Sequence, residues 1–83
     1  MKKYYILVSV DFPTDDTHRS NLTISGFVSK TQKIDNKEGG IRRLHENTWL
    51  LERENAASSL AKIVSASEVH GFEYEVLYLS SDE

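Results

Sequence analysis

The stretch Gly40-Ile41-Arg42-Arg43-Leu44-His45-Glu46-Asn47-Thr48-Trp49 brings two arginines, a histidine and the only tryptophan together in ten residues. Guanidinium groups clamp a phosphate through paired N–H donors. An imidazole exchanges protons near neutral pH, so His45 could assist proton transfer. An indole can stack an unpaired base, which would give Trp49 a binding role. Two other places could join them. Arg19, beside His18, offers another guanidinium, and Asp11 could orient a base or hold a magnesium ion. Each residue also has a plainer reading. Trp49 could be core or interface packing. Arg42 and Arg43 could pair on the surface with Glu38 and Glu46. His18 and His45 could be solvated, and Asp11 could simply end a strand before Phe12-Pro13. His70 falls at an expected helix end, where an imidazolium suits the dipole, and is given no catalytic role.

Other chemistries leave no trace. No histidines stand at i, i+4 spacing, and only Asp15 and Asp16 are carboxylates near Asp11. Gly39-Gly40 reads as a turn rather than a phosphate loop, and no Ser-His-Asp pattern stands out. Neither a metal centre nor a cofactor is expected.

The elements that must position these side chains follow from periodicity. Tyr4 to Val10, rich in β-branched and aromatic residues and ended by Pro13, predicts a buried central strand. Ala56, Leu60, Ile63, Val64 and Ser67 follow helical spacing between an Asn55 cap and a Gly71 stop. Phe72, Tyr74, Val76 and Tyr78 then alternate as one apolar face of a last strand. Val28 to Ile34 and Thr48 to Leu51 read as strands, with Asp35 to Gly40 as a hairpin loop. Asp15 to Ser25 fits either a strand or a helix capped by Thr14. Parallel strands in one sheet need a crossover, which favours the helix. The expectation is an α+β, ferredoxin-like βαββαβ domain: a four-stranded antiparallel sheet with both helices on one face.

The chain has 83 residues, no cysteine and a net charge of −3. That length predicts a single domain over 1–83, with 79–83 as a frayed tail. A domain of this size buries only about 60% of its unfolded surface, so dimerisation is a natural source of stability. The longest apolar run is far short of the roughly 20 residues of a membrane span. Asp11 and Pro13 follow that run too early for a signal peptide. A cytoplasmic protein without membrane contact is expected.

Val8-Ser9-Val10-Asp11-Phe12-Pro13, Gly40-Ile41 with Arg42-Arg43-Leu44, Glu46-Asn47-Thr48-Trp49 and Ala56-Ala57-Ser58, with Arg19-Ser20, together resemble the GhoS family. These are bacterial antitoxins of type V toxin–antitoxin systems. The resemblance spans most of the chain and implies a Cas2-like ferredoxin fold. It also implies a hydrolase, a sequence-selective endoribonuclease acting on a toxin messenger RNA. By position, it implies functional roles for Arg19 and Trp49. The chain departs from the family in having His45 at an asparagine position, Arg42 near a proline position and a shorter C-terminal tail. The expected set is therefore Arg19, His45 and Asp11 for catalysis, with Arg42, Arg43 and Trp49 holding RNA. Two other readings stay open: a non-enzymatic protein-binding module of a mobile element, and a structural homodimer with paired sheets.

Overall fold

Ile6, Val8 and Val10 alternate along the first strand and are all buried, which fixes the inward face of the sheet. The computed structural model describes residues 2–82. It runs β1 (Lys2–Val10), α1 (His18–Lys30), β2 (Ile41–His45), β3 (Thr48–Glu52), α2 (Ala56–His70) and β4 (Tyr74–Asp82). A 3-10 turn over Arg53–Asn55 leads into α2. The four strands form one antiparallel sheet in the order β2-β3-β1-β4. This is the ferredoxin-like α+β arrangement, with β1 central. Phe27 of α1 and Ile63 of α2 pack with Val8, Trp49 and Leu51 in one core.

Phe27 is the hub of that core. Its ring meets Phe12 edge-on at 5.5 Å, Phe72 at 5.5 Å and Trp49 at 6.1 Å between centroids. Such edge-to-face contacts set the positive rim of one ring against the negative face of the next.

Four local expectations need correction. Residues 15–25 do contribute to a helix, but the cap is Thr17 rather than Thr14, and Asp15 and Asp16 precede it. The helix continues to Lys30, so Val28 begins no strand; Ile24, Phe27 and Val28 form its core-facing stripe. The edge strand β2 is instead the arginine segment, and its hairpin with β3 turns at Glu46-Asn47. Residues 36–40 form a separate turn closed by an isolated bridge between Asn36 and Ile41. Gly40 there adopts φ 74°, and a Cβ would strike the Glu52 side chain. Finally, residues 79–82 are strand rather than frayed tail, since Lys2 pairs with Asp82 and Tyr5 with Leu79; Glu83 lies outside the described residues.

The last strand also splits its apolar alternation. Val76 packs on the core, whereas Tyr74 and Tyr78 on the same side stay exposed, Tyr78 at 72%. The β1–β4 ladder outruns the cover that the helices give.

On the opposite face the register lines up Arg42, Leu50, Leu7 and Leu77 across the sheet. The next rows hold Glu52, Tyr5 and Leu79 on one side, and His45, Thr48, Ser9 and Glu75 on the other. Leu77 is 51% exposed and Leu79 42%. Among the described residues no element covers this apolar centre.

Candidate functional site

A groove of about 510 Å³ opens where β1 ends, α1 begins and α2 stops. Asp11, Arg19, Ser20, Thr23, His70 and Glu73 are among the residues that line it. The local chain explains why they meet. Thr17 caps α1, its Oγ1 accepting a hydrogen bond from the Ser20 N–H at 3.1 Å, which sets Arg19 in the first turn. At the other wall Gly71 takes φ 74° and ends α2. The Phe72 N–H returns to the Ser67 carbonyl at 2.8 Å and that of Gly71 to Glu68 at 3.1 Å, a Schellman closure. The Asp11 N–H donates to the Glu73 carbonyl at 2.8 Å, joining the floor of the groove to the start of the last strand.

His70 is the best-positioned proton carrier in the groove. Its Nδ1 lies 2.8 Å from the Ala66 carbonyl. A carbonyl only accepts, so Nδ1 carries the hydrogen, and the neutral ring keeps its lone pair on Nε2. Phe72 stacks against the imidazole at 6.0 Å and Phe27 meets it edge-on at 5.9 Å, so the ring is held from two sides. Nε2 approaches α1 at Gly26, where an added Cβ would lie 3.3 Å away. Replacing Gly26 by alanine should therefore leave the helix intact, with up to about 1 kcal/mol of added helix propensity. It should also displace the imidazole. Carbon–proton correlation spectra of the His70 ring would show the displacement, and unmoved ring signals would contradict the contact.

Arg19 is exposed, and its guanidinium has no ion-pair partner among the described residues; the single ion pair there joins Lys3 to Glu52 at 3.5 Å. It therefore remains available to an anion. Thr23, Gly26 and Lys30 continue along α1 from Arg19 at helical spacing. Past Gly26 a second groove of about 550 Å³ lies between the end of α1 and α2, lined by Lys30, Lys33 and Lys62 over Ile34, Ala66 and Val69.

The arginine–tryptophan segment sits elsewhere, and two of its expected roles are corrected. Trp49 is fully buried, and its Nε1–H donates to the Ile34 carbonyl at 2.8 Å, so it offers no free face to a base. Arg43 lies over that indole at 4.6 Å and is committed to the fold. It donates to the Thr31 carbonyl and hydroxyl at 3.0 Å each, to the Glu46 carbonyl at 2.7 Å and to the His45 carbonyl at 3.3 Å. Burial lowers its pKa from the usual guanidinium range, partly opposed by Glu46 and Asp35. With its donors so used, Arg43 is a clasp between hairpin and α1 rather than a phosphate clamp. Arg42 is exposed on the open sheet face beside Leu50, and His45 is exposed just past a register shift in β2.

Of the expected site residues, the groove thus unites Asp11 with Arg19 and leaves His45, Arg42, Arg43 and Trp49 outside. Sequence reasoning passed over His70. The available signal was Gly26, an otherwise costly glycine inside a helix, seven positions after Arg19 and on the same side. Among the described residues no three His, Asp or Glu side chains gather so as to hold a metal ion, and no helix is long and apolar enough to cross a membrane. The chain matches no family model, no curated protein and no solved structure.

Proposed function

We propose that this chain is a GhoS-like cytoplasmic antitoxin that binds a single-stranded toxin messenger RNA and cleaves it in the groove beside His70. The observation that carries the reading is a histidine held through Nδ1 by the Ala66 carbonyl, sharing a groove with an arginine that has no ion-pair partner among the described residues. The sequence resemblance supplies the RNA and the toxin system. Chemically, the groove suits transesterification at a ribose. His70 Nε2 takes the proton of the 2′-hydroxyl, the 2′-oxygen attacks phosphorus, and the 5′-oxygen leaves and is protonated by solvent. The products are a 2′,3′-cyclic phosphate and a 5′-hydroxyl. Arg19 neutralises the charge that builds on the phosphorane oxygens. Trp49 has no part in binding, and the backbone instead follows the helix furrow toward Lys30, Lys33 and Lys62.

Such phosphate contacts release counterions, so affinity should fall with salt. Engagement of Arg19 and the three lysines gives a log–log slope of roughly −3, on about 0.7 per contact for single strands. Removing the lysines together should flatten that slope by about 2 while leaving any sequence preference unchanged. A fluorescence-anisotropy salt titration measures both.

Cleavage is tested by incubating the protein with total bacterial RNA, in EDTA and in magnesium, and mapping new 5′ and 3′ ends. Discrete ends made by the wild type and lost in folded Arg19→Ala and His70→Gln variants support the reading. No cleavage by folded protein would sink it and favour a non-enzymatic binding module.

A further inference from the structure

We propose that the open sheet face is a docking surface for a second copy of this chain, related by a two-fold axis that runs parallel to the strands. The inference is independent of any activity toward RNA. It rests first on Tyr5, Leu7, Leu50, Leu77 and Leu79, which form a contiguous apolar centre that no helix covers. A contiguous apolar patch of this kind signals an interface more often than scattered exposed leucines do.

The identity of the partner follows from the charges around that centre. The β2 side of the face carries Arg42 and His45, and the β4 side carries Glu75. Neither Arg42 nor Glu75 has an ion-pair partner among the described residues. Lys3 and Glu52, between these edges, bond to each other at 3.5 Å. The face is therefore basic at one edge, acidic at the other and apolar between. A two-fold parallel to the strands lays the β2 edge of one copy over the β4 edge of the other. His45 then opposes Glu75 of the other copy, and Arg42 reaches the same carboxylate diagonally from the adjoining row. The alternative two-fold, perpendicular to the strands, would stack Arg42 on its own counterpart. A surface that complements itself under one rotation and repels itself under the other favours a copy of itself as occupant.

The geometry also suits two packed sheets. Neighbouring strands lie about 4.8 Å apart and rise about 3.3 Å per residue, so the face measures roughly 19 by 23 Å. Leucines from two such faces interdigitate at a sheet separation of about 10 Å, as in β-sandwiches. That area, about 440 Å² per copy, lies below the usual range of stable dimers, so the association is expected to be weak and to depend visibly on concentration.

Sedimentation equilibrium on the full chain, from about 1 µM to about 1 mM, tests the proposal over the range expected of so small an interface. The wild type should pass from monomer to dimer. Arg42→Glu and Glu75→Arg should each raise the dissociation constant at least about tenfold, because each places like charges together. The variant carrying both changes should recover most of the loss, since the swap restores complementarity. Leu77→Lys, at an exposed edge position whose change should spare the fold, should stay monomeric. A wild type monomeric throughout would overturn the proposal and leave the face to another occupant. A double variant no better than either single one would overturn the two-fold.

Discussion

Replacing Trp49 by alanine should remove about 3–5 kcal/mol of stability, enough to unfold much of the protein at physiological temperature. The indole is fully buried against Phe27 and donates its N–H to Ile34, so truncation opens a cavity and also strips a buried carbonyl of its partner. Arg43 would lose the ring it covers at 4.6 Å. A domain of this length holds only about 4–12 kcal/mol in total, at about 0.05–0.15 kcal/mol per residue. Urea denaturation followed by circular dichroism would show the midpoint falling by about 1.5 M or more, taking a slope of about 1–2 kcal/mol per molar for a small domain. Trp49→Phe separates the two contributions: it keeps most of the packing and should lose only about 1–3 kcal/mol for the orphaned carbonyl. An alanine variant as stable as the wild type, yet deficient in RNA binding, would return Trp49 to the role of stacking platform.

Replacing His70 by glutamine should lower the cleavage rate by about a hundredfold or more, the usual contribution of a positioned base. Glutamine can still bond to the Ala66 carbonyl but accepts a proton far too weakly to activate a hydroxyl. Arg19→Ala should cost a comparable factor, about 10²–10³, through lost stabilisation of the phosphorane. Arg19→Lys should recover binding more than rate, because a point charge lacks the guanidinium fork. Single-turnover kinetics on one defined RNA distinguish the two variants. Wild-type rates in folded His70→Gln would remove this histidine from the chemistry, whatever becomes of the RNA reading itself.

The frame of the fold is legible in the sequence because its strongest signals are local. Alternation from Ile6 to Val10 and helical spacing from Ala56 to Gly71 place the central strand and the second helix correctly. The first helix is harder, since Leu22 is 60% exposed and only Ile24, Phe27 and Val28 mark its inner stripe. A β-branched valine beside a phenylalanine imitates a strand start, and tertiary burial of Phe27 decides otherwise. The site is less legible than the fold. Side chains that look alike in sequence diverge in role once packed: Arg43 closes on Thr31 and Trp49, while its neighbour Arg42 faces outward. The meeting of Arg19 with His70 depends on how the two helices pack at Gly26, which no single segment encodes.

The pairing of β1 with β4 also bears on how the molecule comes into being. Val10 meets Tyr74 and Lys2 meets Asp82, so the most apolar strand is completed by the last-made segment of the described chain. During translation β1 can gain β3 on one side, but its other edge must wait for Tyr74 onward to leave the ribosome. Contacts of such sequence separation slow folding and prolong the exposure of a hydrophobic edge. A nascent chain stalled before the final strand would therefore present Tyr5 to Val10 as an open template to its neighbours. Pairing with β4 is what closes that template.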